Sequence, residues 1–151
     1  MRHFRRAEAE DVVAVRNLSR AAYAKWVPLI GREPWPMVAD YDVSVQAHVI
    51  DLLYDDDVLV GLIEMISGEG HLLIENVAVG PSHQGRGHGR HLMAHAEEFA
   101  RTRNDSEIRL YTNQLFAANI ALYQRLGYSV DREEVVSVGV VVHLKKSIST
   151  K

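Results

Sequence analysis

The chain contains no cysteine among its 151 residues. Disulfides, thiolate metal sites and covalent catalysis through an enzyme thiol are therefore excluded. Long apolar runs are missing too: no stretch approaches the roughly 18 residues of a membrane-spanning helix. The opening Met-Arg-His-Phe-Arg-Arg-Ala-Glu has no apolar core of the kind a signal peptide needs. The expectation is a cytoplasmic protein that does not engage a membrane. Net charge is −3 and the basic residues are dispersed, so nucleic acid is not an expected partner. There is no internal repeat, low-complexity segment or linker. Residues 1–151 are read as one domain, long enough to bury a sizeable core.

Glycine, by contrast, is concentrated where it matters. From Val77 to Met93 the sequence reads Val-Ala-Val-Gly-Pro-Ser-His-Gln-Gly-Arg-Gly-His-Gly-Arg-His-Leu-Met, a strand, a glycine-rich turn and the start of a helix. Gly85, Gly87 and Gly89 allow a tight turn and close approach of a ligand, and the first amides of the helix have no partners within it. With the helix dipole behind them, those amides suit a pyrophosphate, and Arg86 and Arg90 add positive charge. The dinucleotide fingerprint Gly-x-Gly-x-x-Gly fails, because the third glycine arrives one residue early at Gly89. A Walker loop fails for want of Gly-Lys-Ser/Thr.

The pattern that fits is Gln84-x-x-Gly87-x-Gly89 after Val77-Ala78-Val79. It resembles the acetyl-coenzyme A motif of the GCN5-related N-acetyltransferases (GNAT). Further on, Asn119-Ile-Ala-Leu-Tyr123-Gln-Arg-Leu-Gly-Tyr128 resembles the same family's second cofactor motif. Strictly, the resemblance covers residues 71–128.

Elsewhere the pattern is local. Residues 2–6 read as a first strand and Ala7–Lys25 as a helix, from the spacing of Val12, Val15, Leu18, Ala22 and Trp26. Pro28, Gly31, Pro34 and Pro36 point to a loop over residues 27–42 with at most a short helical turn. Val43–Leu53 is ambiguous, with alternation favouring a strand. Asp55-Asp56-Asp57 reads as a hairpin turn before a strand at Val58–Ile66, and His71–Val79 as the third strand of a meander. An amphipathic helix is expected at His88–Arg103, a strand at Ile108–Thr112 and a helix at Phe116–Leu126. Two closing strands follow, at Tyr128–Asp131 and Val135–Leu144. This order implies an α/β fold of mixed, α+β-like character, with a central, mostly antiparallel sheet flanked by helices.

Several residues carry chemistry under the resemblance. Tyr123 lies four residues after Asn119 on one helix, so both face one ligand. The resemblance implies that Tyr123 protonates or hydrogen-bonds a leaving thiolate. A phenol with pKa about 10 suits a thiol of about 8.5. The alternative is a packing residue with a satisfied hydroxyl. Simple alternation puts Glu75, Val77 and Val79 on one face of their strand. Glu75 is a base acting through water, an ammonium anchor or a structural residue, since an ordinary glutamate titrates about six units below an alkyl ammonium. The resemblance further implies that main chain at Val77, Ala78 and Val79 meets the pantetheine arm and polarises the acetyl carbonyl, with Asn119 helping through its side chain. Around the pyrophosphate the expected contacts are Gln84, Gly85, Arg86, Gly87, His88, Gly89 and Arg90.

His91 and His95 have helical ligand spacing but lack the glutamate of His-Glu-x-x-His, so they read as solvated histidines and no metal site is expected. His83 and His88 lie in the loop and either touch phosphate or have no role. Trp26 to Tyr41 combines Trp26, Trp35, Met37 and Tyr41 with Glu33 and Asp40; the resemblance implies that this region lines the acceptor side, where an aromatic and acidic wall would favour small amines or peptide N-termini over anionic acceptors. The function so implied is transfer of an acetyl group from acetyl-coenzyme A to a primary amine, by direct attack in a ternary complex. The alternatives are a non-catalytic acyl-coenzyme A binding or sensory module, another acyl donor, or a hydroxyl acceptor. A homodimer is left open.

Overall fold

The computed structural model describes residues 1–148. Over these residues it forms a mixed α/β domain around a seven-stranded sheet in the order β1-β2-β3-β4-β5-β7-β6. The strands are β1 (Arg2–Arg6), β2 (Val49–Asp55), β3 (Val58–Ser67), β4 (His71–Val79), β5 (Glu107–Asn113), β6 (Ser129–Val136) and β7 (Gly139–Ser147). Every pairing is antiparallel except β4 with β5. A parallel pair needs a crossover, which α5 (His88–Thr102) supplies.

Two layers cover the sheet. On one face α5 buries Leu92, Met93, Ala96 and Ala100, and α6 (Ala117–Arg125) adds Ile120 and Tyr123. On the other lie α1 (Val12–Tyr23), α2 (Val27–Ile30), α3 (Trp35–Val38) and α4 (Tyr41–Ala47), with Val15 and Tyr41 packed on Leu52 and Leu62. The turn before α1 is closed by Asp11, whose carboxylate accepts from the Glu8 amide at 2.8 Å.

Three expectations are corrected. The prolines start helices rather than only breaking them: Pro28 and Pro36 are the second residues of α2 and α3, where no amide is needed. Residues 43–47 belong to a helix, not a strand, because Asp40 caps α4 by accepting from the amides of Asp42 (3.1 Å) and Val43 (3.4 Å). The final hairpin turns at residues 137–138, so Arg132, Glu133 and Glu134 are inside β6. That strand is a sheet edge exposed on both faces, where charges discourage edge-to-edge pairing.

The sheet opens where the site lies. The β4–β5 ladder spans only His71–Ile74 against Glu107–Leu110. Beyond it β4 stays with β3 and β5 with β7, so the two strands part. The divergence begins at a β-bulge: Glu64 pairs with Asn76 and Met65 with Ile74, leaving Glu75 as the extra residue.

Candidate active site

The bulge re-aims Glu75. Alternation alone would group it with Val77 and Val79, but those two valines pack on the α5 side. Glu75 instead accepts hydrogen bonds from Trp35 Nε1 of α3 (3.0 Å) and the Tyr111 hydroxyl (2.8 Å), on the α1–α4 side. Its neighbour Asn76 also faces that side, donating to Ser19 Oγ (3.1 Å) and Tyr41 (3.2 Å). A bulge places consecutive residues on one side, which a strict period of two does not anticipate.

Past the bulge, β4 presents main chain to the opening. The Val77 carbonyl accepts from the Tyr23 hydroxyl at 3.0 Å, and the Val79 carbonyl from Gln84 Nε2 at 3.1 Å. Because a strand residue directs its N–H and C=O to the same side, the Val77 and Val79 amides also face away from β3. Ala78 does the reverse. It pairs with Leu62 of β3, and its side chain is in the α1-side core, so it lines neither cavity described below.

The glycine loop has the conformation that its sequence demands. Gly85 and Gly87 adopt φ of +80° and +83°, which disfavours any side chain. A Cβ at Gly85 or Gly89 would meet no atom within 4 Å, so their absent side chains leave open space above the loop. The amides of His88, Gly89 and Arg90 begin α5 and point into that space unpaired. Gln84 braces the loop to β4 and accepts from Lys25 at 3.1 Å. Arg86 projects outward, and its carbonyl is held by Arg2 of β1 at 3.0 Å. The His88 imidazole is not a phosphate contact. It is 2% exposed, 3.9 Å from Asp55, and burial lowers its pKa. His88 contributes only its amide to the cradle.

Two cavities follow from this geometry. One, of about 300 Å³, runs from the glycine loop past Lys25, Trp26, Val77 and Val79 to Asn119 and Tyr123. The other, of about 160 Å³, is walled by Arg32, Trp35, Glu75, Asn76, Tyr111 and Phe116. They share Tyr23, Val77, Asn119 and Tyr123, so they meet between the parted strands. Tyr123 stands at that junction with its ring edge against Tyr128. Burial alone pushes its phenol up to about 12. Burial and the nearby Tyr123 also raise the phenol of Tyr23, which stands at the same junction.

Of the expected binding residues, Val77, Val79, Gln84, Gly85, Gly87, His88, Gly89, Arg90, Asn119 and Tyr123 line the first cavity, while Ala78 and Arg86 do not. The anticipated acidic wall is absent from the second. Glu33 pairs with Arg20 at 2.8 Å, Asp40 caps α4, and Tyr41 is buried, donating to the Pro36 carbonyl at 2.6 Å. Trp26 stacks on Phe116 on the first cavity's side, and only Trp35 of the expected residues meets Glu75. Tyr23, Arg32 and Tyr111 also line the second cavity; each reaches the site through long-range packing and carries no local motif that would mark it in the sequence. His91 and His95 are only partly solvated. Both stack on Phe4, and His95 bonds the buried Asp51 at 2.7 Å. No group of residues with metal-site geometry occurs among those described.

Comparison with known proteins gives this arrangement a context. The model of the acetyltransferase (GNAT) family matches residues 13–128. Streptothricin acetyltransferase from Streptomyces lavendulae is 41% identical over 58 residues, covering 38% of this chain and 31% of that protein. The uncharacterized protein YxbD of Bacillus subtilis (strain 168) is 34% identical over 97 residues, covering 64% of this chain and 60% of that one. The matches thus span less than two thirds of either curated relative. Among solved structures, the PaiA N-acetyltransferase of Thermoplasma acidophilum in complex with coenzyme A superimposes with a TM-score of 0.83 at 16% identity, covering 98% of this chain and 99% of that one.

Proposed function

The chain belongs to the acetyltransferase (GNAT) family, and from that premise we propose that it moves an acetyl group from acetyl-coenzyme A to a primary amine of a small molecule or peptide N-terminus. The observation that carries this reading is the meeting of the two cavities at Tyr123. A donor laid along the first and an acceptor held in the second would bring thioester and amine together without an enzyme-bound intermediate, which a cysteine-free chain could not form as a thioester.

The residues divide the work. Amides of His88, Gly89 and Arg90, with the Arg90 side chain and the dipole of α5, hold the pyrophosphate. Main chain of Val77 and Val79 pairs with the pantetheine arm, and a β4 amide meets the acetyl oxygen as charge develops on it. Glu75, fixed by Trp35 and Tyr111, receives the acceptor ammonium. The ammonium loses one proton to cavity water before attack. The amine then adds to the thioester carbonyl, the second proton passes to cavity water, and the C–S bond breaks to release the thiolate. Tyr123, protonated at any physiological pH, donates a hydrogen bond to the departing thiolate.

The test is coenzyme A release from acetyl-coenzyme A with a panel of primary amines, followed by mass analysis of the amines. Release matched by acetylated amine is expected. Thermal stabilisation by acetyl-coenzyme A without release from any amine would favour a binding module, and release with alcohols alone would move the acceptor to a hydroxyl.

A further inference from the structure

Two residues that line the acceptor-side cavity each carry a buried polar atom without a partner among the described residues, and the two are of opposite character: Arg32 Nε and Asn76 Oδ1. The first is a cationic donor. Arg32 forms no ion pair within that set: the adjacent Glu33 is taken by Arg20, and the only hydrogen bond from Arg32 is a 3.5 Å contact to the Glu33 carbonyl. The second is a neutral acceptor whose orientation is fixed. The Tyr41 hydroxyl spends its proton on the Pro36 carbonyl at 2.6 Å, so it can only accept from Asn76. Asn76 Nδ2 must therefore point at Tyr41 and Ser19, leaving Oδ1 without a partner in a residue of the cavity wall.

Buried polar atoms are normally paired, and one left unpaired in a cavity wall marks where a ligand supplies the missing partner. Asn76 Oδ1 lies beside Glu75, and together they offer acceptors to an ammonium. A guanidinium in the same wall offers a fork of donors that matches a carboxylate. The cavity of about 160 Å³ is smaller than the roughly 300–1,000 Å³ of drug-sized pockets. We infer that the acceptor is a small zwitterion of the α-amino-acid type, its ammonium held by Glu75 and Asn76 and its carboxylate by Arg32. The inference rests on the acetyl-transfer reading above and narrows its acceptor from amines in general to amines that carry a carboxylate. It replaces the expectation of a purely acidic and aromatic wall.

Matched probes separate the two levels. L-phenylalanine is compared with phenethylamine and with phenylalanine amide, and L-lysine with cadaverine, by coenzyme A release in wild type, Arg32→Ala and Arg32→Lys. The amino acids should be the better substrates in wild type. Arg32→Ala should raise their KM roughly 10–100-fold, more than it lowers their kcat, and should raise the KM of the carboxylate-free amines far less. Arg32→Lys should recover part of the loss, since it restores charge without the fork. Turnover of carboxylate-free amines equal to or better than that of the amino acids, or an equal effect of Arg32→Ala on both sets, would overturn the inference and leave acetyl transfer standing. No turnover of any probe would overturn both. Calorimetric titration of L-phenylalanine into the protein with coenzyme A present gives a readout independent of chemistry, and binding lost only in Arg32→Ala is the expected result.

Discussion

Replacing Tyr123 with phenylalanine removes one oxygen at the junction of the cavities and nothing else. The hydroxyl owes its raised pKa, about 12, to burial alone. Phenylalanine therefore orphans no partner, and fold stability should stay within about 0.5 kcal/mol of wild type. The catalytic loss follows from what the hydroxyl faces. A phenol at about 12 does not hand its proton outright to a thiolate whose conjugate acid titrates near 8.5, because the gap costs about 5 kcal/mol. Its contribution is a hydrogen bond to developing negative charge, worth about 1.5–3 kcal/mol. At about 1.4 kcal/mol per factor of ten, kcat should fall roughly 10–150-fold. The assay is initial-rate thiol release at saturating acetyl-coenzyme A and acceptor, beside a calorimetric Kd for coenzyme A that should move by less than about threefold. An unchanged kcat would make Tyr123 a packing residue, and a Kd raised as much as kcat falls would make its role binding.

Three further outcomes are expected. Gly87→Asp should raise the Kd of coenzyme A more than tenfold by calorimetry, since it puts a side chain at φ +83° and a negative charge beside the phosphate amides. Glu75→Gln should raise the acceptor KM roughly 10–100-fold with kcat at saturation largely kept; a fallen kcat with an altered acidic limb of the pH profile would make Glu75 the base instead. Tyr23, Tyr41, Tyr111, Tyr123 and Tyr128 all have phenols raised by burial, so the unfolded chain gives up their protons first. Their contribution to stability is intact below about pH 10 and should be lost as pH rises from there through about 12. Urea midpoints that stay level across that range would show those phenols to be solvated.

What the sequence made legible is what depends on local spacing. The glycine loop, the start of α5 and the shared helix face of Asn119 and Tyr123 are fixed by residues within a few positions of one another. The placement of Glu75 was not legible, because a bulge is decided by how β4 registers against β3, and no residue of β4 announces it. Arg32 and Tyr111 reach the acceptor cavity from a proline-rich connection and from a strand 36 residues beyond Glu75, through tertiary packing alone. The capping role of Asp40 was visible in principle, but the alternating valines after it argued for a strand, and capping with burial of Tyr41 and Ser44 prevailed.

The central claim, that acetyl passes directly between partners held in two joined cavities, is tested most directly by initial rates with both substrates varied, followed by the mass of the protein after incubation with acetyl-coenzyme A alone. Intersecting double-reciprocal lines and an unmodified protein are predicted. Parallel lines with an acetylated residue on the protein would contradict it.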